Sequence, residues 1–389
     1  MTQIPASKVD FSNPALLKAV YDMGKNYKCN YLIPLAAWQR GLSVEYFGSQ
    51  DAAGVRYPFM PPQCAEPDFY RITDGSRSHF FNRSIGDATS MEAAVVSKNK
   101  AASKMRFRKF GVPTTPAIVW TGDNTAQVQA FVAQASDKTF VLKPIQGSGS
   151  KNTYIGIQSN NVISVLESLP KIPMLVEIRI LGPEFRVYVV GGRVAASFVK
   201  MGIFVVGNGK DSVATLIAAK NALRASNPAI ANCQIDLSES ENYLASFGVT
   251  LAYVPALNRR VMLNTSRNPL LGSEAVNNTA TLHPAIARAA IGACAATGLP
   301  NAGVDIMADA RGPYVLEVNA RALIHRHSFP TLGEGTGNAV AEAIVDWYFP
   351  TPDGKPAQRH TQFFDSAPLL AAFAKDGHAG HYALPPAVV

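Results

Sequence analysis

The sequence is poor in residues that mark several classes of protein. Its four cysteines, Cys29, Cys64, Cys233 and Cys294, lie far apart, and none belongs to a CxxC pair. A zinc site or a disulfide framework is therefore not expected, and buried cysteines in a reducing cytoplasm are the simplest interpretation. No apolar run approaches the length of a membrane helix, and the first ten residues lack the basic start and apolar core of a signal peptide.

Charged residues are also scarce, at 16% of the 389 residues, whereas 47% are hydrophobic. This composition predicts a folded globular enzyme with a large core, normally in more than one domain. The net charge is +8, but Lys and Arg are scattered apart from one dense stretch at residues 98–109. We therefore expect neither a nucleic acid nor a membrane as partner. The basic stretch is either a solvated helix face or a surface that attracts an anionic nucleotide or substrate.

The pattern of apolar and turn residues predicts an α/β chain. Helices are predicted at residues 32–42, 98–110, 125–135, 213–225, 284–297 and 338–347. Strands are predicted at residues 43–47, 117–120, 140–143, 174–178, 185–190, 193–199, 301–307 and 314–318. The segment beyond Pro350 is rich in Pro, Ala and His, and we predict a poorly packed extension there.

A lysine followed by a glycine-rich loop suggests a phosphate site. Lys143 ends a predicted strand, and Gly147, Ser148, Gly149 and Ser150 come shortly after it. A lysine places a point charge on a phosphate, and glycine lets backbone N–H groups close over phosphate oxygens. The loop matches neither a Walker A motif nor GxGxxG, and on its own it is weak evidence, because Gly/Ser loops are usually turns.

Two acids flank a short connector that leads into the next predicted strand. Glu177 precedes this connector, and Glu184 and Arg186 follow it. The backbone of the connector could pair with an adenine edge, while Glu184 accepts hydrogen bonds from ribose hydroxyls and Arg186 faces a phosphate. A solvent-facing hairpin with surface charges explains this segment equally well.

Two predicted strands carry acids within apolar runs, and they form the strongest signal. Asp305 lies between Val304 and Ile306, and Glu317 precedes Val318-Asn319. An acid in such a run is costly to bury unless it is paired or bound to a metal. Asp305, Glu317 and Asn319 offer hard oxygen ligands of the kind that Mg²⁺ binds together with substrate phosphates. A pair of edge strands with a charged outer face is the simpler alternative.

These elements, in this order, resemble the ATP-grasp superfamily, and most of all the ATP-grasp portion of cyanophycin synthetases and bifunctional glutathione synthetases. The resemblance runs from about Asp68 to Pro350 and includes residues 85–104, 111–113, 205–210, 268–279 and 344–350. It implies an ATP-grasp fold, classed α/β (α+β). The implied domains are an N-terminal pre-ATP-grasp domain at 1–97, a lid subdomain at 98–175, a metal- and nucleotide-binding subdomain at 176–350 and an extension at 351–389.

The resemblance also implies roles for individual residues. Contacts with ATP are implied for Lys104, Lys143, Gly147, Ser148, Gly149, Ser150, Glu177, Ile180 and Glu184. Two Mg²⁺ ions, with Mn²⁺ as the alternative ion, are implied at Asp305, Glu317 and Asn319. Arg186, Lys200 and Asn268 are implied near the γ-phosphate or an acyl phosphate.

The sequence departs from the family directly after Asn319. The family usually continues with a Pro-Gly turn, whereas this chain continues with Ala320, Arg321 and a run that ends in His325-Arg326-His327. We expect Arg321 and its neighbours to recognise a substrate carboxylate, or a histidine to accept a proton from the amine. Alternatively, these residues only balance the acidic site or face solvent. No Mur-ligase-like domain follows, so polymerisation of a long peptide is not expected.

The predicted activity is a C–N ligase that uses ATP to join a carboxylate to an amine. The resemblance implies an acyl phosphate intermediate and amino acids or small peptides as substrates. Intramolecular lactam closure uses the same chemistry and stays open, as does a homo-oligomeric state. The alternative from another class is a non-catalytic ATP-binding regulator or scaffold, against which the complete set of lysines and oxygen ligands counts.

Overall fold

The computed structural model describes residues 29–47, 69–147, 149, 151–225, 230, 233–265, 267, 272–331, 335–355 and 358–359. They form mixed helices and sheets, which confirms the predicted class. The chain divides into two compact units. The first unit comprises Met1–Asp87, Ala195–Thr281 and Arg321–Val389, and the second comprises Ala88–Val194 and Leu282–Ala320. The domain boundaries predicted at residues 97, 175 and 350 stay a prediction.

The second unit begins with a pair of helices and ends with a β-hairpin. Its helices are α2 (Met91–Lys98), α3 (Lys100–Lys109), α4 (Thr125–Ala133), α5 (Val162–Ser168) and α8 (Pro284–Thr297). Its strands are β5 (Ala117–Trp120), β6 (Thr139–Pro144), β7 (Tyr154–Gln158), β8 (Met174–Ile178), β9 (Glu184–Val190), β14 (Asn301–Asp309) and β15 (Gly312–Asn319).

Two antiparallel sheets position the polar residues of the second unit. One sheet has the strand order β5-β8-β6-β7, and α4 and α5 pack an apolar core against it. In the other, β14 pairs with β9 on one side and with β15 on the other. The register between β14 and β15 shifts between Asp305 and Ile306, which marks a bulge beside an acidic residue.

The first unit contains the remaining elements. Its helices are α1 (Cys29–Gln39), α6 (Val213–Ala225), α7 (Leu237–Ala245), α9 (His325–Ser328) and α10 (Ala339–Tyr348). Its strands are β1 (Ser43–Phe47), β2 (Phe69–Thr73), β3 (Ser78–Asn82), β4 (Ile85–Gly86), β10 (Arg193–Met201, which begins in the second unit), β11 (Ile203–Val206), β12 (Arg260–Asn264) and β13 (Glu274–Asn277). Strands β1 to β4 form one antiparallel sheet in chain order, β11 pairs with β12, and β10 pairs with β13.

Several predicted elements have the predicted bounds. They are the strands Ser43–Phe47, Ala117–Trp120 and Met174–Ile178 and the helices Val213–Ala225 and Pro284–Thr297. The other predicted strands and the helices at 125–135 and 338–347 are present with ends moved by one or two residues.

Two helix predictions need correction. The single helix predicted at 98–110 is wrong, because Asn99 is extended and its side chain accepts hydrogen bonds from the N–H groups of Ala101 and Ala102, which starts a new helix. The helix predicted at 32–42 begins at Cys29 and ends at Gln39, because Gly41 adopts a left-handed φ of 71°. The predictions missed α2, α5, α7, α9, β2 to β4, β7 and β11 to β13.

Three of the four cysteines are described, and Cys29, Cys233 and Cys294 are all free and buried, as predicted. Burial raises the pKa of the Cys29 thiol to about 11 and that of Cys294 to about 12. Cys64 lies outside the described residues. Within the described ranges, none of the helices combines the length and the apolarity that a membrane crossing requires.

The predicted C-terminal extension lies mostly outside the described residues. Within the described part, Arg359 forms ion pairs with Glu342 at 3.3 Å and with Asp346 at 3.0 Å. At least this residue is therefore attached to helix α10.

Candidate active site

Two lysines share one carboxylate in the interior of the second unit. Lys104 comes from α3, Lys143 from the end of β6 and Glu177 from β8, the neighbour of β6. The ammonium nitrogen of Lys104 is 3.1 Å from Oε2 of Glu177, and that of Lys143 is 2.5 Å from Oε1. All three side chains are at most 10% exposed. The cluster therefore carries a net positive charge in a dry environment, where charge acts strongly on an anion.

The pKa values of this cluster reflect burial and mutual attraction. Burial lowers the pKa of Lys104 to about 8, the nearby Lys143 adds to this effect, and Glu177 opposes it. Burial alone would raise the pKa of Glu177, but the two lysines outweigh it and bring that pKa to about 2. For Lys143, the attraction of Glu177 and Glu317 outweighs burial, so its pKa is raised. Glu177 is thus firmly a carboxylate between two cations.

A second polar cluster lies on the neighbouring strands β9, β14 and β15. Asp305 faces Arg186 across β9–β14 and Glu317 across β14–β15. Arg186 donates from Nε to Oδ1 and from Nη2 to Oδ2 of Asp305, each at 2.8 Å. The amide nitrogen of Asn319 donates to Asp305 and to Glu317, each at 3.2 Å. The structure therefore brings together all three predicted metal ligands.

The donor set of this cluster fits a magnesium site. No group of three or more His, Cys, Asp or Glu side chains that could hold a metal occurs among the described residues. Two carboxylates and one amide oxygen are the small set of hard ligands that Mg²⁺ takes when phosphate and water supply the rest. The side chain of Glu317 is 30% exposed, so such ligands can reach it. The amide nitrogen of Asn319 faces the two carboxylates, so the amide has to rotate to present its oxygen to a cation.

Lys100 joins the glycine loop to the second polar cluster, the one around Asp305 and Glu317. Its ammonium nitrogen donates to the carbonyl of Gly147 at 2.9 Å and lies 3.7 Å from Oε2 of Glu317. Sequence reasoning treated Lys100 only as part of a basic stretch. Lys100 lies four residues before Lys104 on α3, and this spacing, which places both lysines on one face of the helix, was the signal in the sequence. Lys100 is therefore a further candidate for the site.

The glycine loop has the backbone that glycine permits. Gly147 and Gly149 adopt φ values of 126° and 69°, which residues with a Cβ rarely adopt. Ser148 and Ser150, also predicted for this loop, lie outside the described residues. Replacing either glycine would strain the loop, so its glycines are required by its conformation.

The connector that was predicted to pair with an adenine edge follows Glu177 directly. Ile180 is buried, and Glu184 begins β9 opposite Met307. Between them, a Cβ on Gly182 would lie 1.8 Å from the carbonyl oxygen of Ala308, so only glycine fits this approach. The connector is therefore packed closely against the end of β14, which carries Asp305.

The other predicted catalytic residues belong to the first unit or lie outside the described residues. Lys200 lies on β10 opposite Ala275, and the half-buried Arg321 begins the last segment of the first unit. Asn268 lies outside the described residues. Ala320 and Arg321, at the positions of the family's Pro-Gly, still form a turn, and His325, Arg326 and His327 follow in the short helix α9, in which all three are buried.

The chain is similar in sequence to known proteins. The chain is 26% identical over 320 residues to the glutathione biosynthesis bifunctional protein GshAB of Mannheimia succiniciproducens, which covers 77% of this chain and 40% of that protein. It is 27% identical over 278 residues to a cyanophycin synthetase of Nostoc sp., which covers 68% of this chain and 30% of that protein. The chain thus spans less than half the length of these relatives.

The fold comparison gives a similar result. A crystal structure of a bifunctional glutathione synthetase from Pasteurella multocida matches with a TM-score of 0.57 and 22% identity, over 74% of this chain and 41% of that chain. The sequence profile described as an ATP-grasp domain matches residues 95–323, more than half of the chain. The predicted resemblance is confirmed, and the chain belongs to the ATP-grasp family.

Proposed function

We propose that this protein is an ATP-dependent ligase that forms an amide bond between a carboxylate and an amine. The observation that carries the proposal is the pairing of two clusters in one unit, the lysines around Glu177 and the oxygen ligands around Asp305. Both Glu317 and Asp305 contribute to the raised pKa of Lys143, so the two clusters lie within electrostatic reach. The positive lysine cluster suits the phosphates of a nucleoside triphosphate, and the hard oxygen ligands beside it suit the divalent cation that these phosphates carry.

The nucleotide is bound by residues of the second unit. Lys104 and Lys143 attract the α- and β-phosphates, and the loop of Gly147, Ser148, Gly149 and Ser150 covers them. Glu177 and Ile180 line the adenine edge, and Glu184 binds the ribose. The segment 98–175 acts as the lid, which excludes water because water would hydrolyse an acyl phosphate.

Asp305, Glu317 and Asn319 hold the divalent cations, for which we propose two Mg²⁺ ions, with Mn²⁺ as the alternative. Bound there, the ions neutralise charge on the phosphoryl group that is transferred. Arg186 orients Asp305 through its two hydrogen bonds, and its remaining N–H groups can face the γ-phosphate.

The reaction has two steps. An oxygen of the substrate carboxylate attacks the γ-phosphorus, which gives an acyl phosphate and ADP. The amine then attacks the acyl carbon, loses a proton, and expels inorganic phosphate, which keeps the oxygen of the original carboxylate. Arg186, Lys200 and Asn268 stabilise the negative charge of the transferred group, and Arg321 binds a substrate carboxylate.

The substrates are amino acids or small peptides. The names of the two sequence relatives, a glutathione biosynthesis protein and a cyanophycin synthetase, support this class. Ala320 and Arg321 in place of Pro-Gly, with the helix α9 a few residues later, support an acceptor side that differs in shape from that of the family, and therefore different substrates.

Hydroxylamine trapping tests this proposal without knowledge of the natural amine. The protein is incubated with ATP, Mg²⁺, hydroxylamine and one carboxylate at a time from a panel of amino acids and dipeptides. A ligase releases ADP and forms a hydroxamate with at least one of them. Tight binding of ATP with no ADP and no hydroxamate from any carboxylate would favour the non-catalytic regulator or scaffold instead.

A further inference from the structure

A second connector, the tetrapeptide at residues 113–116, joins the two candidate clusters of the second unit. On one side, the N–H of Val315 donates to the carbonyl of Pro113 at 2.9 Å, and the hydroxyl of Thr114 donates to the carbonyl of Val315 at 2.6 Å. On the other side, the N–H of Ile178 donates to the carbonyl of Pro116 at 3.1 Å. The connector is therefore attached both to β15, which carries Glu317, and to β8, which carries Glu177.

The two threonine hydroxyls of this connector meet at Lys104. The ammonium group of Lys104 donates to Oγ1 of Thr114 at 2.9 Å and to Oγ1 of Thr115 at 2.5 Å. Thr115 in turn donates to Oε2 of Glu177 at 2.8 Å. Each hydroxyl thus accepts a hydrogen bond from the lysine. Its single O–H donates to a different strand, so no donor of either hydroxyl is left unpaired.

Neutral hydroxyls have a specific advantage at this position. Lys104 and Thr115 are 2% and 1% exposed, so the ammonium group needs hydrogen-bond partners inside the protein. An additional carboxylate would supply them but would cancel the net positive charge of the two lysines and Glu177. Threonine fixes the ammonium group and leaves that charge available to a phosphate.

We propose that Thr114 and Thr115 are positioning residues, which fix the Lys104 ammonium group relative to Glu177 and to the strand of Glu317. This inference rests on the proposed nucleotide-binding function of the two clusters. Thr115 sets the place of the lysine beside the shared carboxylate. Thr114 ties the same lysine to β15, two residues before Glu317, and so couples the phosphate-binding charge to the metal-binding strand.

Valine variants test the proposal, because valine matches the shape of threonine but lacks the hydroxyl. The dissociation constant of ADP is measured by calorimetry with and without Mg²⁺, beside the melting temperature. Thr115→Val should weaken Mg·ADP binding about tenfold or more, in line with loss of a hydrogen bond to a charged group. Thr115→Ser should restore most of the affinity. Thr114→Val should reduce the factor by which Mg²⁺ tightens ADP binding, and Thr114→Ser should restore that factor.

Thr297→Val is the matched control. Thr297 is also buried in the second unit, but its hydroxyl donates to helix carbonyls, at 2.8 Å to that of Ala293. This variant should bind Mg·ADP like the wild type even if its melting temperature falls. If Thr115→Val does not fold, Thr115→Ala is compared with Thr115→Ser.

A pH profile separates positioning from general loss of structure. The charged groups that act on Lys104 are Glu177, Lys143 and Arg108. Loss of the Thr115 hydroxyl should move the alkaline decline of ADP affinity to lower pH, and the Thr297→Val profile should match the wild type. Valine variants with wild-type Mg·ADP affinity and pH profile would overturn this inference. A wild-type protein that binds no Mg·ADP would instead refute the proposed function itself.

Discussion

Arg186 holds both carboxylate oxygens of Asp305, with Nε and Nη2 each 2.8 Å from the oxygen they bind. The partners lie opposite each other on β9 and β14, and Asn319 reaches the same carboxylate from β15. Asp305 is therefore oriented from both neighbouring strands. The carboxylate is therefore held in place before a cation binds, whereas the Asn319 amide, whose nitrogen faces both carboxylates, has to rotate to offer its oxygen.

Replacement of the acidic ligands should abolish turnover. Glu317→Gln keeps the shape of the side chain but removes the charge that binds the cation, so we expect ADP formation to fall by about 10²–10³ or more. Asp305→Asn should lose as much activity and also stability, because it weakens the buried pair with Arg186. ADP release and thermal melting are measured together. Wild-type ADP release by either folded variant would contradict the metal assignment.

Loss of a phosphate lysine should weaken nucleotide binding. Lys143→Ala removes a charge-assisted contact worth about 1.5–3 kcal/mol, which corresponds to roughly 10- to 150-fold in affinity for an ATP analogue. Lys138→Ala serves as control, because Lys138 is an exposed lysine of the same unit that pairs only with its neighbour Asp137 among the described residues. Calorimetry that finds equal affinities for both variants and the wild type would remove Lys143 from the phosphate site.

The stability of the protein should depend on Glu177 in acid. The pKa of Glu177 is about 2 in the folded protein against an ordinary value of 4.5, since two lysines stabilise its charged form. The unfolded chain therefore binds the proton first, and the stability that Glu177 contributes above pH 4.5 is lost as the pH falls toward 2.

Denaturant unfolding between pH 6 and 2.5 measures this contribution. Glu177→Gln should be less stable than the wild type at pH 6, and the difference should shrink as the pH falls. Glu167→Gln, which removes an exposed acid of the same unit, should follow the wild-type curve. A constant difference between Glu177→Gln and the wild type across this range would show that the lysines do not hold Glu177 as a carboxylate.

Arg321 should act on the substrate and not on the nucleotide. Arg321→Ala removes a planar guanidinium that can bind a carboxylate through two hydrogen bonds, so the KM for the carboxylate substrate should rise about tenfold or more. The KM for ATP should change little. Arg311→Ala, in the exposed turn between β14 and β15, is the control for loss of an arginine. A rise confined to the KM for ATP would place Arg321 outside the substrate site.

How far the sequence predicts this site depends on whether a feature is local. Asp305 and Glu317 were recognisable because each interrupts an apolar strand pattern, and the short turn between the strands makes them neighbours. The shared carboxylate was not predictable, since Lys104, Lys143 and Glu177 come from three separate elements. The roles of Thr114 and Lys100 depend in the same way on contacts with β15. The break at Asn99 was missed because apolar and basic periodicity continues across it, whereas a single side-chain cap ends one helix and starts the next.

Transfer of isotope from the substrate to phosphate tests the central proposal most directly. The carboxylate that gives a hydroxamate is labelled with ¹⁸O in its carboxyl group and incubated with ATP, Mg²⁺ and the amine. We expect one ¹⁸O atom in the inorganic phosphate for each amide formed, because the attacking carboxylate oxygen leaves with the phosphoryl group. Unlabelled phosphate, or AMP and pyrophosphate in place of ADP, would contradict an acyl phosphate intermediate.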